Sequence, residues 1–184
     1  MIEKFLTIND YSRPNRRLRF VKAIIIHWVA KPGQRASSVW QYWENRKDGE
    51  SGFGSGHYIV DLNGSILHCI PDNEMAYHVG SKQYTSYALK TLSPYPNNCT
   101  IAVELTHLDS EGSFSDETFD AAAKLTAKLC HKYGLDPFEN VMTHKFVVGW
   151  KDCPKWFSKH PYDFDGFRSK VKQLMLQSFV KLSL

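Results

Sequence analysis

The sequence predicts a single α/β domain with a central mixed β-sheet flanked by helices. Three observations carry that expectation. The β-branched runs AIIIHWV (23–29) and TIAVELT (100–106) read as strands. HYIVDLNGSILHCI (57–70) reads as a hairpin, with two β-rich runs around Asn63-Gly64. SDETFDAAAKLTAKLCHKYG (115–134) carries the start and stop signals of a long helix. Hairpin and crossover connections in one chain imply a sheet of mixed strand direction. The chain's 184 residues suffice for one domain with a sizeable core.

In chain order, 23–29 is short, apolar and central in character. SSVWQYWENR (37–46) has a serine positioned as N-cap, with Val39, Tyr42, Trp43 and Arg46 at helical spacing. SGFGSG (51–56) is a flexible turn leading into the hairpin. KQYTSYALKTLSPYPNN (82–98) holds turn residues without a clean period and reads as a long loop. Along 100–106, Ile101, Val103 and Leu105 face one way and Ala102, Glu104 and Thr106 the other. In 115–134, Ser115 caps the helix, acids fill the first turn, and Phe119, Ala122, Leu125, Leu129 and Tyr133 form an apolar face. Gly134 stops it. NVMTH (140–144) is a short strand, after which His144 opens a loop. DFDGFRSKVKQLMLQSFVKL (163–182) is a terminal helix interrupted early by Gly166.

Composition narrows the class without naming a function. With 42% hydrophobic and 23% charged residues the chain is an ordinary globular protein rather than a disordered one. A net charge of +4 mildly favours anionic partners, nucleic acid or an acidic wall polymer alike. No apolar run approaches the roughly 20 residues that span a bilayer. The first twenty residues mix acid and base and lack the apolar core of a signal peptide, so synthesis in a cytoplasm without the ordinary secretory signal is expected. RPNRRLRF (13–20) reads as a solvated basic face. Cys69, Cys99 and Cys130 read as buried thiols, because no CxxC spacing occurs. His68, His107, His131 and His160 read as structural or surface residues.

Four residues stand out for chemistry. A lone histidine in an apolar strand, like His27, is more often part of a core than a ligand. Glu104 lies in a second such strand, where an unpartnered carboxylate is costly to bury unless its face is solvated. His144 ends a third strand, and Cys153 follows nine residues later, next to Pro154. Together they supply the inventory of a catalytic zinc site: three protein ligands, an open position, and a carboxylate to move protons.

Five stretches, IIIHW (24–28), GHYIVDLNG (56–64), MAYHVGS (75–81), IAVELT (101–106) and THKFVVGWKDCP (143–154), resemble the zinc N-acetylmuramoyl-L-alanine amidases of the amidase-2 type. That group includes phage endolysins, bacterial autolysins and animal peptidoglycan recognition proteins. The resemblance runs from about residue 20 to about residue 170, and the order of elements agrees. It implies zinc ligands at His27, His144 and Cys153. Asp152 stands one place too early for the aspartate that some branches use as third ligand. Glu104 matches the catalytic glutamate of the bacterial branch, and Lys151 the lysine two positions before the last ligand. His78, preceded by Tyr77 where tryptophan is common, and His57 match family histidines and imply contacts to substrate. Some phage members use a tyrosine where this chain has Gly56, so proton transfer falls to Glu104.

The resemblance therefore implies a peptidoglycan hydrolase that cleaves the amide between N-acetylmuramic acid and L-alanine of the stem peptide. It implies one zinc ion (Zn2+) per chain and a muropeptide substrate, with no nucleic-acid partner and no membrane insertion. A monomer is expected, acting on the wall after holin-mediated release or lysis. Residues 1–170 are the expected catalytic domain, and 171–184 a helical extension or the start of a linker. The loop at 82–98 is the natural place for stem-peptide specificity. The alternative is a non-catalytic peptidoglycan-binding module, which would typically lack the cysteine ligand. A structural zinc in a basic nucleic-acid-binding domain would need a fourth, closely spaced ligand that the chain does not offer.

Overall fold

Six strands form one sheet in the order β1 (Ile2–Glu3), β4 (Ile66–His68), β3 (Tyr58–Val60), β5 (Thr100–Leu105), β2 (Ala23–Trp28) and β6 (Val141–Thr143). The computed structural model describes residues 1–182, with side chains described through Gln177. β2 lies between β5 and β6 and runs parallel to both; β3 is parallel to β5. The hairpin pair β3–β4 is antiparallel, which makes the sheet mixed. The expected α/β class is thus what the chain adopts.

Alternation along the strands decides what each face packs against. Ile24, Ile26, Ile101, Val103 and Leu105 pack against α3 (Asp116–Tyr133) and α7 (Pro161–Leu182), through Ala122, Leu125, Leu129, Phe167 and Val171. On the opposite face, Ala23, Ile25 and Met142 meet Ala88 of α2 (Ser86–Thr91) and Val147 and Val148 of α5 (His144–Val148). Ile59 meets Val39 and Trp43 of α1 (Ala36–Asn45). With both faces covered, the central strands can be apolar throughout. Two short helices, α4 (Pro137–Asn140) and α6 (Lys155–Lys159), complete the fold.

α3 follows its sequence signals closely. The Ser115 hydroxyl accepts from the Thr118 N–H at 3.1 Å, and Gly134 ends the helix in the left-handed region at φ 65°. The hairpin forms at Asn63-Gly64, but its connection is longer than two residues. The Asp61 N–H donates to the Ser65 carbonyl, and only Gly64 of the connection has positive φ.

Other expectations are corrected. α1 begins at Ala36 with Arg35 as N-cap and no side-chain cap, since a guanidinium has no acceptor to offer; Arg35 instead reaches across to Asp61 at 2.9 Å, and Ser37 lies inside the first turn. The segment 82–98 is not all loop: Thr85 caps α2, accepting from the Ala88 N–H, and Ala88 is fully buried against β2. His144 opens α5 rather than a loop. Of the even positions along 100–106, Thr100, Ala102 and Thr106 are fully buried, and Glu104 is only partly buried. The basic segment 13–20 is partly docked: Arg13 pairs with Glu74 at 2.8 Å, and Leu18 is buried. The stretch expected at 171–184 begins within α7, where Val171 is fully buried; its last residues, 183 and 184, lie outside the described residues.

α7 also runs unbroken through Gly166. Phe164, Phe167 and Val171 anchor that turn, outweighing the propensity penalty of about 1 kcal/mol for a helical glycine. Nothing lies within 4 Å of where a Gly166 Cβ would sit. Gly166→Ala is therefore expected to raise stability by about 0.5–1 kcal/mol in urea unfolding. A loss of stability instead would mean that the helix bends at this residue.

Candidate functional site

The carboxyl ends of parallel strands are where open α/β sheets gather ligand-binding groups. Here β2, β5 and β6 end side by side. Register sets His27 opposite Glu104 and Ile26 opposite Thr143, so His144 emerges beside His27. Thr143 caps α5, its hydroxyl accepting from the Phe146 N–H at 3.1 Å, which fixes the direction in which His144 leaves the strand. The loop carrying Cys153 is tied back by the Lys145 N–H, which donates to the Cys153 carbonyl at 2.9 Å.

Three of the expected site residues come together. His144 Nδ1 lies 3.2 Å and Cys153 Sγ 3.6 Å from His27 Nδ1. The three donor atoms sit within 4.8 Å of one another, and all three residues are buried. Glu104 Oε1 is 3.9 Å from His27 Nδ1. A tetrahedral zinc with bonds of about 2.0 Å to nitrogen and about 2.3 Å to sulfur holds its donors roughly 3.3 Å (N to N) and 3.6 Å (N to S) apart. The spacing and the donor chemistry both fit zinc.

Electrostatics fit as well. Burial, then the neighbouring His144 and His78, holds His27 neutral, well below the usual histidine range. Burial and then the positive charge of Lys151 push His144 down to about 3. Neutral imidazoles are the form that binds metal. Burial pushes the Cys153 thiol up to about 12, with Glu104 adding to the effect, so a metal binding here must displace its proton. Burial also raises Glu104 to about 8, against the pull of Lys151. A carboxyl shifted toward neutrality in a cleft is suited to proton transfer.

These residues floor a groove of about 1050 Å³ that Lys151 and His78 also line. Tyr77, Phe53 and Tyr95 give its walls aromatic surface, and Arg46 adds a cation. His78 lies behind the triad, its Nδ1 3.0 Å from His27 Nε2. His57 is fully buried and away from the groove. Its Nε2 donates to the Glu74 carbonyl at 2.9 Å and its Nδ1 accepts from the Ala102 N–H at 3.0 Å, so it joins β5 to the 71–76 turn. Cys69, Cys99 and Cys130 are free and buried, as expected.

Comparison with known proteins places this geometry. The family model described as N-acetylmuramoyl-L-alanine amidase matches residues 16–156. The chain belongs to that amidase family. It is 32% identical over 185 residues to a probable N-acetylmuramoyl-L-alanine amidase of Bacillus licheniformis, covering 100% of this chain and 50% of the relative. It is 31% identical to the N-acetylmuramoyl-L-alanine amidase BlyA of Bacillus subtilis, covering 93% of this chain and 46% of that protein. The chain thus spans about half the length of the curated relatives it matches. Among solved structures, a mutant endolysin from Bacillus subtilis superposes with a TM-score of 0.70 at 23% identity, over 92% of this chain and 97% of that one. Staphylococcus aureus AmiA, solved with its ligand, gives 0.71 at 18% identity, over 97% and 84%. Both share this chain's fold.

Two residues at the site carry no motif in the sequence. The Asn97 side-chain oxygen accepts from the backbone N–H groups of His78 and Val79, at 3.1 and 2.9 Å. Thr100 meets the far side of the His78 ring. Gly56 belongs here too. A Cβ on it would lie 2.9 Å from the Trp43 ring and 3.4 Å from the Glu104 Cγ, so a tyrosine in this place would need the site rebuilt. Gly56→Ala is expected to cost about 1–3 kcal/mol by overpacking against the buried indole and to change the near-UV circular dichroism of Trp43. An unchanged spectrum and unchanged stability would show the pocket around Glu104 to be slack.

Proposed function

We propose that the protein hydrolyses the amide joining the lactyl group of N-acetylmuramic acid to L-alanine of the peptidoglycan stem peptide. The observation that carries this reading is the buried His27–His144–Cys153 cluster with Glu104 beside it, on the floor of an open groove. His27, His144 and Cys153 would hold a single zinc ion per chain, and such an ion would supply Lewis-acid chemistry for amide hydrolysis. Glu104 takes the proton of the attacking water and delivers it to the leaving amine. Lys151 places positive charge where the oxyanion develops. Tyr77 offers its ring to the muropeptide from the groove wall. The catalytic unit spans residues 1–170. It acts as a monomer on the wall, after release by lysis, without a nucleic-acid partner or membrane insertion. Among the described residues no helix is long and apolar enough to cross a membrane.

Digestion of purified peptidoglycan is expected to release new amino-terminal alanine and no new reducing sugar ends, read by mass spectrometry of the products. Reducing ends without new alanine termini would make the protein a glycosidase. Binding without any product would make it a recognition module.

Zinc content and lysis rate, measured on the same preparations, separate ligands from proton carriers. Cys153→Ser is expected to lose zinc and activity together, whereas Cys99→Ser keeps both. Glu104→Gln is expected to keep zinc while losing about 10²–10⁴-fold in rate. Lys151→Ala is expected to keep zinc and lose roughly 10²–10³-fold. A Glu104→Gln protein retaining more than about a tenth of wild-type activity, a loss smaller than general acid–base catalysis contributes, would move the proton transfer to another group.

A further inference from the structure

The hydrogen-bond chain behind the triad has a direction that can be read link by link. Thr100 Oγ1 lies 2.7 Å from the Pro96 carbonyl oxygen, which can only accept, so the single hydroxyl proton points there. The hydroxyl must then accept from His78 Nε2, 3.0 Å away, and that nitrogen carries the His78 proton. The His78 ring is buried, and its two nitrogens meet only the Thr100 hydroxyl and the His27 ring, with no carboxylate to balance a second proton, so it holds one. Its Nδ1 is therefore a bare acceptor, and the atom facing it at 3.0 Å is His27 Nε2. That nitrogen must be protonated, and a neutral His27 then has a bare Nδ1. This is the same Nδ1 that faces His144 and Cys153.

We propose that Thr100 and His78 are positioning residues that hold His27 in its Nε2–H tautomer, with the Nδ1 lone pair turned into the triad before any metal arrives. Three observations support this. The chain is buried along its length: His27, His78 and Thr100 are 2%, 9% and 0% exposed. Each link has one permitted direction, because it starts at a carbonyl that cannot donate. The backbone of His78 is also clamped, by Asn97 from the 96–98 turn that supplies the Pro96 carbonyl. The inverted tautomer would place an N–H toward Cys153 and His144 and two facing lone pairs between His27 and His78. The proposal deepens the zinc reading of the site and assigns His78 a supporting part behind a ligand.

The experiment pairs histidine-selective ¹⁵N correlation spectra of the zinc-free protein with zinc titration, for wild type, Thr100→Ser and Thr100→Val. Serine keeps the hydroxyl; valine keeps the shape and removes it. Wild type and Thr100→Ser are expected to show His27 and His78 both protonated at Nε2 and to bind zinc with equal affinity. Thr100→Val is expected to show a mixture of tautomers and to lose about 10–100-fold in zinc affinity, the range for an outer-shell partner. Should Thr100→Val fold too poorly to titrate, the wild-type spectrum decides. A wild-type His27 protonated at Nδ1 would overturn the proposal, as would a Thr100→Val protein with wild-type zinc affinity. A wild type with the expected tautomers that binds no zinc would uphold the relay and overturn the metal reading instead.

Discussion

The parallel register of β2 with β5 and β6 is the constraint on which the site depends. His27 opposite Glu104, and Thr143 opposite Ile26, bring an imidazole, a carboxylate and a second imidazole to one edge of the sheet. Side chains alternate between faces, so a slip of one residue in β2 would turn His27 toward α3 and α7 and put Ile26 at the edge. The two apolar clusters prevent it. Ile24 and Ile26 are fully buried on one face, Ala23 and Ile25 on the other. A slip would exchange matched packing on both sides at once. The chemistry at the strand ends is thus held in place by hydrophobic burial in the strand bodies.

That placement is electrostatically expensive, and the surroundings show how the cost is contained. His27 and Cys153 can be buried because both are neutral here. Glu104 is the one acid in the group. It remains partly open to the groove, at 15% side-chain exposure, with the Lys151 cation acting on it. Gly56 removes the side chain that would otherwise compete for its space. The resulting arrangement has a dry side, where the His27 and His144 rings are held by protein, and a wet side, where the groove reaches the carboxylate.

Much of this was legible in the sequence because strong local signals and the fold agree. The strand runs, the hairpin glycine and both ends of α3 follow from side-chain chemistry within a few residues. That His27, His144 and Cys153 would lie together was expected from the resemblance of their motifs to the amidase family, since a lone histidine in an apolar strand reads first as core. What was not legible depended on tertiary partners. α2 has a Thr85 cap but little periodicity, and its stability comes from Ala88 packed on β2. Ser37 looked like a cap, but Arg35 already occupied that place, drawn by Asp61 across the fold. Gly166 looked like a break, but it lies on the exposed side of a helix pinned by phenylalanines. Thr100 and Asn97 are single polar residues with no pattern. Their meaning lies in His78, roughly twenty positions away in the chain.

The segment from Tyr95 to Thr100 therefore has two sides with different freedoms. Outward, Tyr95 forms part of the groove wall, and loops on a rigid sheet are where recognition can vary. Inward, the Pro96 carbonyl, the Asn97 amide and the Thr100 hydroxyl hold the backbone and ring of His78, and through it His27. The Asn97 amide also donates to the Tyr95 hydroxyl at 3.1 Å, so the two sides share one hydrogen-bonded unit. A tilt of Tyr95 therefore pulls on the residue that clamps His78. The Phe53 side of the groove is tied in as well: the Phe53 ring packs on Tyr77 at 5.0 Å, and the Ser55 N–H donates to the Tyr77 carbonyl at 2.9 Å, one residue before His78.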